Sequence, residues 1–144
     1  MSEPVLTTEE RARIRLVFAG VPFVRLLGFQ LEEFERGSAV VAAQARPEFL
    51  QNRGILHGGF TATLIDSATA FAIIGHLSDG ESTSTVDLNI HYLRPVVAGP
   101  VAAAARVIRA GRTIITAVAE VTNSDGQLCA MASTTYIRLA RQVT

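Results

Sequence analysis

The segment from Gly58 to Ile74 most constrains the fold, because it is apolar on nearly every side of the helix that it predicts. Its sequence, GGFTATLIDSATAFAII, is rich in alanine, glycine and threonine, and the two glycines at its start let the backbone turn sharply into a helix. A helix that is apolar all round must be enclosed by the rest of the chain. We therefore expect a central, closely packed helix.

Strand-like segments flank this helix on both sides. One short pair is predicted before it, and four longer strands follow it with turn signals between the last three. In chain order, the expected elements are a capped helix from Thr7 to Gly20, a helical turn from Pro22 to Gly28, strands at 29–34 and 38–45, the central helix, and strands within 82–95, 100–111, 112–126 and 127–139. This order predicts an α+β domain in which a curved antiparallel sheet wraps around the helix.

Length and composition indicate a single domain over residues 1–144, in which residues 1–28 form an N-terminal helical segment. At 144 residues and 49% hydrophobic, the chain can bury one core and is too short for two ordinary domains. Its 13 basic and 13 acidic residues cancel. Without a basic block or stripe, neither nucleic acid nor an anionic membrane is expected as a partner.

Other sequence features bear on the cellular location of the protein and on whether it holds a disulfide or a metal ion. The N-terminal stretch starts acidic without an apolar signal core, and no apolar run approaches the ~18 residues that a membrane span requires, so we expect a cytoplasmic protein. Cys129 is the only cysteine, which excludes an internal disulfide. No spacing typical of metal ligands is present, so no metal site is expected.

Asp66 is the chemically informative residue of the central helix. Nothing basic lies near it in sequence, and an ionised carboxylate in an apolar segment is costly unless it is paired, hydrated or used. The backbone N–H of Gly58, at the helix start, can bind an anion or polarise a carbonyl group. The eight-residue spacing corresponds to about 12 Å along a helix, so one helix cannot bring both groups to one reacting atom. Two antiparallel copies related by a two-fold axis can, which predicts a site shared between subunits.

Three sequence pieces, in this order, carry a family resemblance. They are N-x(4)-HGG-x(6)-D from Asn52 to Asp66, TVDLNIHYLRP from Thr85 to Pro95, and GRT from Gly111 to Thr113. With them the chain resembles hotdog-fold thioesterases of the PaaI type, which hydrolyse acyl-coenzyme A, and the match covers nearly the whole chain. The resemblance implies a hotdog fold, a site between two subunits of a homodimer, assembly into a homotetramer, and no cofactor beyond the coenzyme A of the substrate.

The same resemblance implies a role for five residues. Asp66 would act as the general base or as the nucleophile, and the amide of Gly58 would hold the thioester oxygen as negative charge develops on it. Asn52 would position the attacking water or the carboxylate, and Thr85 would help to orient that water. His57 is expected to shape the turn and to form local hydrogen bonds.

Residues next to these are expected to bind the substrate. Gly59 follows the amide of Gly58, while Val86 and Asp87 follow Thr85 along the strand. Arg112 lies in a hairpin turn, where its guanidinium group can meet the phosphates of coenzyme A. An ordinary solvated turn is an equally good interpretation of Arg112.

Two other functions on the same fold stay open. Asp87 and His91 suggest an acyl-thioester hydratase or dehydratase, but hotdog hydratases carry D-x-N-P-x-H and this chain has D-x-N-x-H. The missing residue changes the strand face that the histidine takes. A non-catalytic protein that binds acyl ligands would not need Asp66. For a thioesterase, we expect an aromatic or a medium- to long-chain acyl group.

Overall fold

A six-stranded antiparallel sheet wraps around one long helix. The structure, a computed structural model, describes residues 3–140. The helices are α1 (Thr8–Gly20), α2 (Pro22–Leu27) and α3 (Gly58–Ile73), and the strands are β1 (Gln30–Glu35), β2 (Ser38–Gln44), β3 (Ser82–Tyr92), β4 (Pro100–Ala110), β5 (Ile114–Asn123) and β6 (Leu128–Leu139). The sheet order is β1-β2-β4-β5-β6-β3, so β1 and β3 are its edges. The predicted hotdog architecture is confirmed.

The N-terminal helices begin and end where the sequence signals predict. Thr7 and Glu10 form a capping box, in which the Thr7 hydroxyl accepts from the Glu10 amide at 3.1 Å and the Thr7 amide donates to the Glu10 carboxylate at 2.7 Å. Pro22 begins α2, and Gly28 ends it with a φ of 71°, a left-handed conformation that glycine adopts without strain. These signals are local, which is why the sequence alone locates both helices.

Helix α3 lies in the concave side of the sheet and contacts β2, β4 and β5. Leu64, Ile65 and Ala68 of the helix are fully buried, and the facing strands carry small residues such as Ala103 and Ala117, which allow a close approach. The helix is therefore the centre of the core, as its composition predicts.

The composition of this helix also overturns one expectation. The segment Gly58–His76 is 19 residues long and passes as a membrane span by length and composition, so the statement that no apolar run approaches that length is wrong here. More than half of the segment is buried inside the domain. A core helix enclosed by a sheet and a membrane helix need the same apolar composition, and in this fold the sheet covers the apolar surface.

Strand β3 carries the irregularity that matters most for the site. Its pairing with β6 shifts register between Thr85 and Asp87, which is a β-bulge at Val86. Immediately before the bulge, Thr85 lies opposite Tyr136 of β6. The bulge changes which side chains of β3 face α3, and the strict two-residue alternation expected from the sequence does not hold across it.

Candidate active site

The carboxylate of Asp66, in the middle of α3, is anchored by two hydroxyl groups. Thr85 Oγ1 donates to Asp66 Oδ1 at 2.9 Å, and the Tyr136 hydroxyl donates to the same oxygen at 3.0 Å. Asp66 Oδ2 has no hydrogen-bond partner within residues 3–140. One oxygen therefore fixes the carboxylate, while the other is available to a water molecule or a substrate.

Tyr136 is a site residue that the sequence analysis missed. Its hydroxyl oxygen lies 2.8 Å from Thr69 Oγ1 and 2.9 Å from the backbone oxygen of Asp66, and only 2% of the residue is exposed. Burial raises the pKa of Tyr136 well above its usual range, and the neighbouring Asp66 carboxylate raises that pKa further. Tyr136 therefore stays a neutral hydrogen-bond donor. The sequence signal that could have indicated it is a tyrosine in a predicted strand, because a buried tyrosine hydroxyl needs a polar partner.

Asp66 opens into an apolar groove of about 530 Å³. Helix α3 contributes Phe71 to its wall, β3 contributes Thr85 and Leu88, and α2 contributes Phe23. Thr85 and Leu88 line the same groove although they are three positions apart, because the bulge removes one step of the alternation.

Two predicted substrate-binding residues of β3 lie outside this groove. Val86 is 58% exposed at the bulge, and Asp87 is exposed on the other face of the strand. Asn89 Nδ2 lies 3.5 Å from Asp87 Oδ1, and His91 is exposed on the same strand. Within one chain, neither Asp87 nor His91 contacts the Asp66 groove, so the hydratase pairing gains no support from the geometry.

The turn before α3 leaves the Gly58 amide outside the local hydrogen bonds. His57 is the N-cap residue, and its Nδ1 atom accepts from the Gly59 amide at 2.9 Å, which is the local hydrogen bond expected of this histidine. The Gly58 amide itself has no acceptor within residues 3–140. The Tyr92 hydroxyl donates to the Gly58 carbonyl oxygen at 2.6 Å, and partial burial of this largely exposed residue raises the pKa of Tyr92. Hydrogen bonds formed by His57 and Tyr92 thus hold the turn in place, and the N–H of Gly58 remains available.

A second cavity, of about 570 Å³, lies beside Gly58 and Gly59. Gln51 lines this cavity, whereas Asn52 is exposed in the turn and does not. Asn52 therefore stays a predicted site residue, in the turn next to a neighbour that lines this cavity.

The remaining predicted residue, Arg112, is exposed in the turn between β4 and β5 and lines neither cavity. Gly58 and Asp66 also line different cavities, as the spacing argument requires. Within residues 3–140, no group of three or more histidine, cysteine, aspartate or glutamate side chains is arranged to hold a metal ion.

Comparison with known proteins places this geometry in a family. Residues 53–130 match the family model of the thioesterase superfamily. The chain is 31% identical to the medium/long-chain acyl-CoA thioesterase YigI of Salmonella typhimurium, over 92% of this chain and 97% of that protein. It is 30% identical to acyl-coenzyme A thioesterase 13 of Pongo abelii, over 87% of this chain and 91% of that protein.

Solved structures give the same result. A mutant of the phenylacetic acid degradation protein PaaI from Thermus thermophilus superposes with a TM-score of 0.77 at 33% identity, covering 83% of this chain and all of that chain. A thioesterase family protein from Silicibacter pomeroyi superposes with a TM-score of 0.85 at 26% identity, over 90% of this chain and 98% of that one. The family model covers more than half of the chain, and the first relatives match it over nearly their whole length. This chain therefore belongs to the thioesterase superfamily and is a thioester hydrolase with the hotdog fold.

Proposed function

We propose that this protein hydrolyses acyl-coenzyme A at a site shared by two copies of the chain. Asp66 of one copy acts on a thioester whose oxygen is held by the Gly58 amide of the other. The observation that carries the proposal is the carboxylate of Asp66, anchored through one oxygen by Thr85 and Tyr136 and open through the other to an apolar groove.

In the general-base form of this mechanism, Asp66 Oδ2 takes a proton from a water molecule while the water oxygen attacks the thioester carbon. The carbonyl oxygen becomes negatively charged and is stabilised by the Gly58 N–H. The tetrahedral intermediate then breaks its carbon–sulfur bond, and the proton returns from Asp66 to the leaving thiolate. The products are the free acid and coenzyme A.

The same geometry also permits direct attack of Asp66 Oδ2 on the thioester carbon, which would give a mixed anhydride that water then hydrolyses. Both routes use Thr85 and Tyr136 to hold the carboxylate in place. A single turnover in isotopically labelled water identifies the direct attack when water cleaves the anhydride at the Asp66 carboxyl carbon, because solvent oxygen then enters Asp66 and the product acid carries an oxygen from Asp66. In the general-base route solvent oxygen enters only the product acid.

Polar groups near Gly58 complete the proposed site. Asn52, in the turn before α3, positions the attacking water or the carboxylate in this proposal, and its neighbour Gln51 lines the Gly58 cavity. His57 supports the site through the turn, since its ring holds the Gly59 amide and leaves the Gly58 amide unoccupied. Gly59, next to Gly58, also lines this cavity.

The apolar lining of the groove beside Asp66 favours an aromatic or medium- to long-chain acyl group as the part of the substrate bound there. Its lining is largely apolar and includes Phe23, Phe71 and Leu88. The relative from Salmonella typhimurium is named for medium and long acyl chains, which agrees with this class.

The homodimer is required by the shared site, and Ile108 and Met131, exposed on the sheet, favour further pairing into a tetramer. A cytoplasmic location fits the buried free thiol of Cys129.

The test is thiol release from acetyl-, octanoyl-, palmitoyl-, phenylacetyl- and hydroxybenzoyl-coenzyme A, comparing wild type with Asp66→Asn. We expect the variant to lose about a hundredfold or more in turnover, or about 2.7 kcal/mol of barrier. Asp125→Asn is the matched control, because Asp125 is exposed in the turn between β5 and β6. Equal rates in wild type and Asp66→Asn would show that Asp66 is structural, and tight acyl-coenzyme A binding without turnover in either protein would favour the non-catalytic function.

A further inference from the structure

The cavity beside Gly58 contains two arginines that have no acidic partner. Arg53, in the loop before α3, and Arg94, after β3, both line it. None of its lining residues is acidic, and neither guanidinium group pairs with a carboxylate within residues 3–140. We propose that Arg53 and Arg94 bind the phosphates of coenzyme A, an inference that rests on the proposed hydrolysis and deepens it.

These two arginines differ from half of the other ten in the described chain. Five arginines form ion pairs with acidic side chains, namely Arg11, Arg13, Arg36, Arg46 and Arg138. Arg53 and Arg94 instead both line one cavity that has no acidic lining residue, which favours an anionic ligand there. A guanidinium group can hold a phosphate through two parallel hydrogen bonds.

Both arginines extend from backbone that is fixed by hydrogen bonds. The Arg94 amide donates to the Cys129 carbonyl oxygen at 3.1 Å, which ties the end of β3 to β6. The Arg53 amide donates to Gln51 Oε1, and the Gly54 amide closes the same turn by donating to the Gln51 carbonyl oxygen at 3.0 Å. The two side chains therefore start from defined positions at the cavity.

The rest of the cavity suits the neutral part of coenzyme A. Gly58, whose amide is assigned to the thioester oxygen, lines the same cavity as both arginines. Ile55 and Leu93 contribute apolar surface to it. The pantetheine arm of coenzyme A is uncharged and connects the sulfur to the phosphates, so one cavity with an amide and two arginines matches the order of groups in the substrate.

The test compares an acyl-coenzyme A with the same acyl group on pantetheine, which lacks the phosphates. We expect the double variant Arg53→Gln/Arg94→Gln to raise KM for the acyl-coenzyme A about tenfold or more, with kcat changed less than about twofold. KM for the acyl-pantetheine should stay as in wild type. Arg25→Gln is the matched control and should leave both constants unchanged, because Arg25 is exposed on α2 and lines neither cavity.

A binding experiment keeps this proposal separate from the proposed hydrolysis. Titration calorimetry with adenosine bisphosphate, the nucleotide portion of coenzyme A, should show binding to wild type and to Arg25→Gln and weaker binding to the double variant. Retained binding by a folded double variant, or an equal rise in KM for both thioesters, would overturn the arginine assignment. Arginine-dependent nucleotide binding in a protein that releases no thiol would support the assignment and overturn hydrolysis.

Discussion

Gly58 contributes its backbone N–H to the proposed mechanism, so a substitution can remove the functional group and keep the turn. Proline lacks an N–H and is well tolerated at the first position of a helix, which Gly58 occupies. A proline also requires an extended conformation of the residue before it. His57 already has φ of -61° and ψ of 132°, which satisfies that requirement.

We predict that Gly58→Pro lowers kcat by about a hundredfold or more, because the loss of one oxyanion donor costs ~3 kcal/mol of barrier. Gly58→Ala is the matched control, since it keeps the N–H. A Cβ atom at this position lies 3.2 Å from the Tyr92 hydroxyl oxygen in either variant, so crowding of that exposed side chain is common to both. The measurement is kcat from thiol release, with thermal unfolding to confirm the fold. Equal activity of the two variants would remove the Gly58 amide from the mechanism.

The sequence could identify Gly58, His57 and Asp66 because their signals are local. A glycine pair, an N-cap and an acid in an apolar helix are visible within ten residues of chain. Tyr136 could not be found in that way, since it lies 70 residues from Asp66 and reaches it only through the pairing of β6 with β3. Gln51 and Asn52 are adjacent amides, and only the fold of the turn decides which one lines the cavity.

At the scale of elements, α2 determines part of the groove beside Asp66. Pro22 and Gly28 define its ends, and Val24 is buried and anchors it. Phe23 is 52% exposed while it lines the groove, so an acyl chain can cover the exposed part of the ring. This short helix therefore supplies apolar surface to the acyl group in the proposed function.

We predict that Phe23→Ala raises KM for octanoyl- and palmitoyl-coenzyme A about fivefold to tenfold and leaves KM for acetyl-coenzyme A nearly unchanged. The reason is that a long chain loses ~1 to 1.5 kcal/mol of apolar contact, whereas an acetyl group does not reach the ring. Leu26→Ala is the control, since Leu26 lies on the same helix, is 69% exposed and does not line the groove. An identical change for every chain length would show that α2 has no part in acyl selection.

The elements themselves were largely predictable, and their arrangement was less so. Capping residues, glycines and strand alternation give the boundaries of α1, α2, α3 and the six strands to within a few residues. The position of β3 at the sheet edge depends on pairing between distant segments. The bulge at Val86 has no sequence signal, and it places Thr85 with Leu88 instead of with Asp87.

At the scale of the molecule, β3 leaves one edge of the sheet without a paired strand in a single chain. Val86, Tyr92 and Leu93 along this segment are each more than half exposed. An exposed, apolar edge strand is prone to pair with another chain. Because β3 also contacts α3 at Asp66 and at Gly58, a second copy at this edge would lie next to both halves of the proposed site.

Mixed dimers test whether the site is shared. We predict that Asp66→Asn and Gly58→Pro homodimers are both inactive, and that a mixed dimer isolated through two different tags regains about half of the wild-type turnover. In that dimer one site combines the intact Gly58 of one chain with the intact Asp66 of the other. The control pairs wild type with a chain carrying both substitutions, and here every shared site has one defect, so this dimer should be inactive. If each chain instead contained a complete site, the first mixture would stay inactive and the control would keep about half of the activity, because its wild-type chain would work alone.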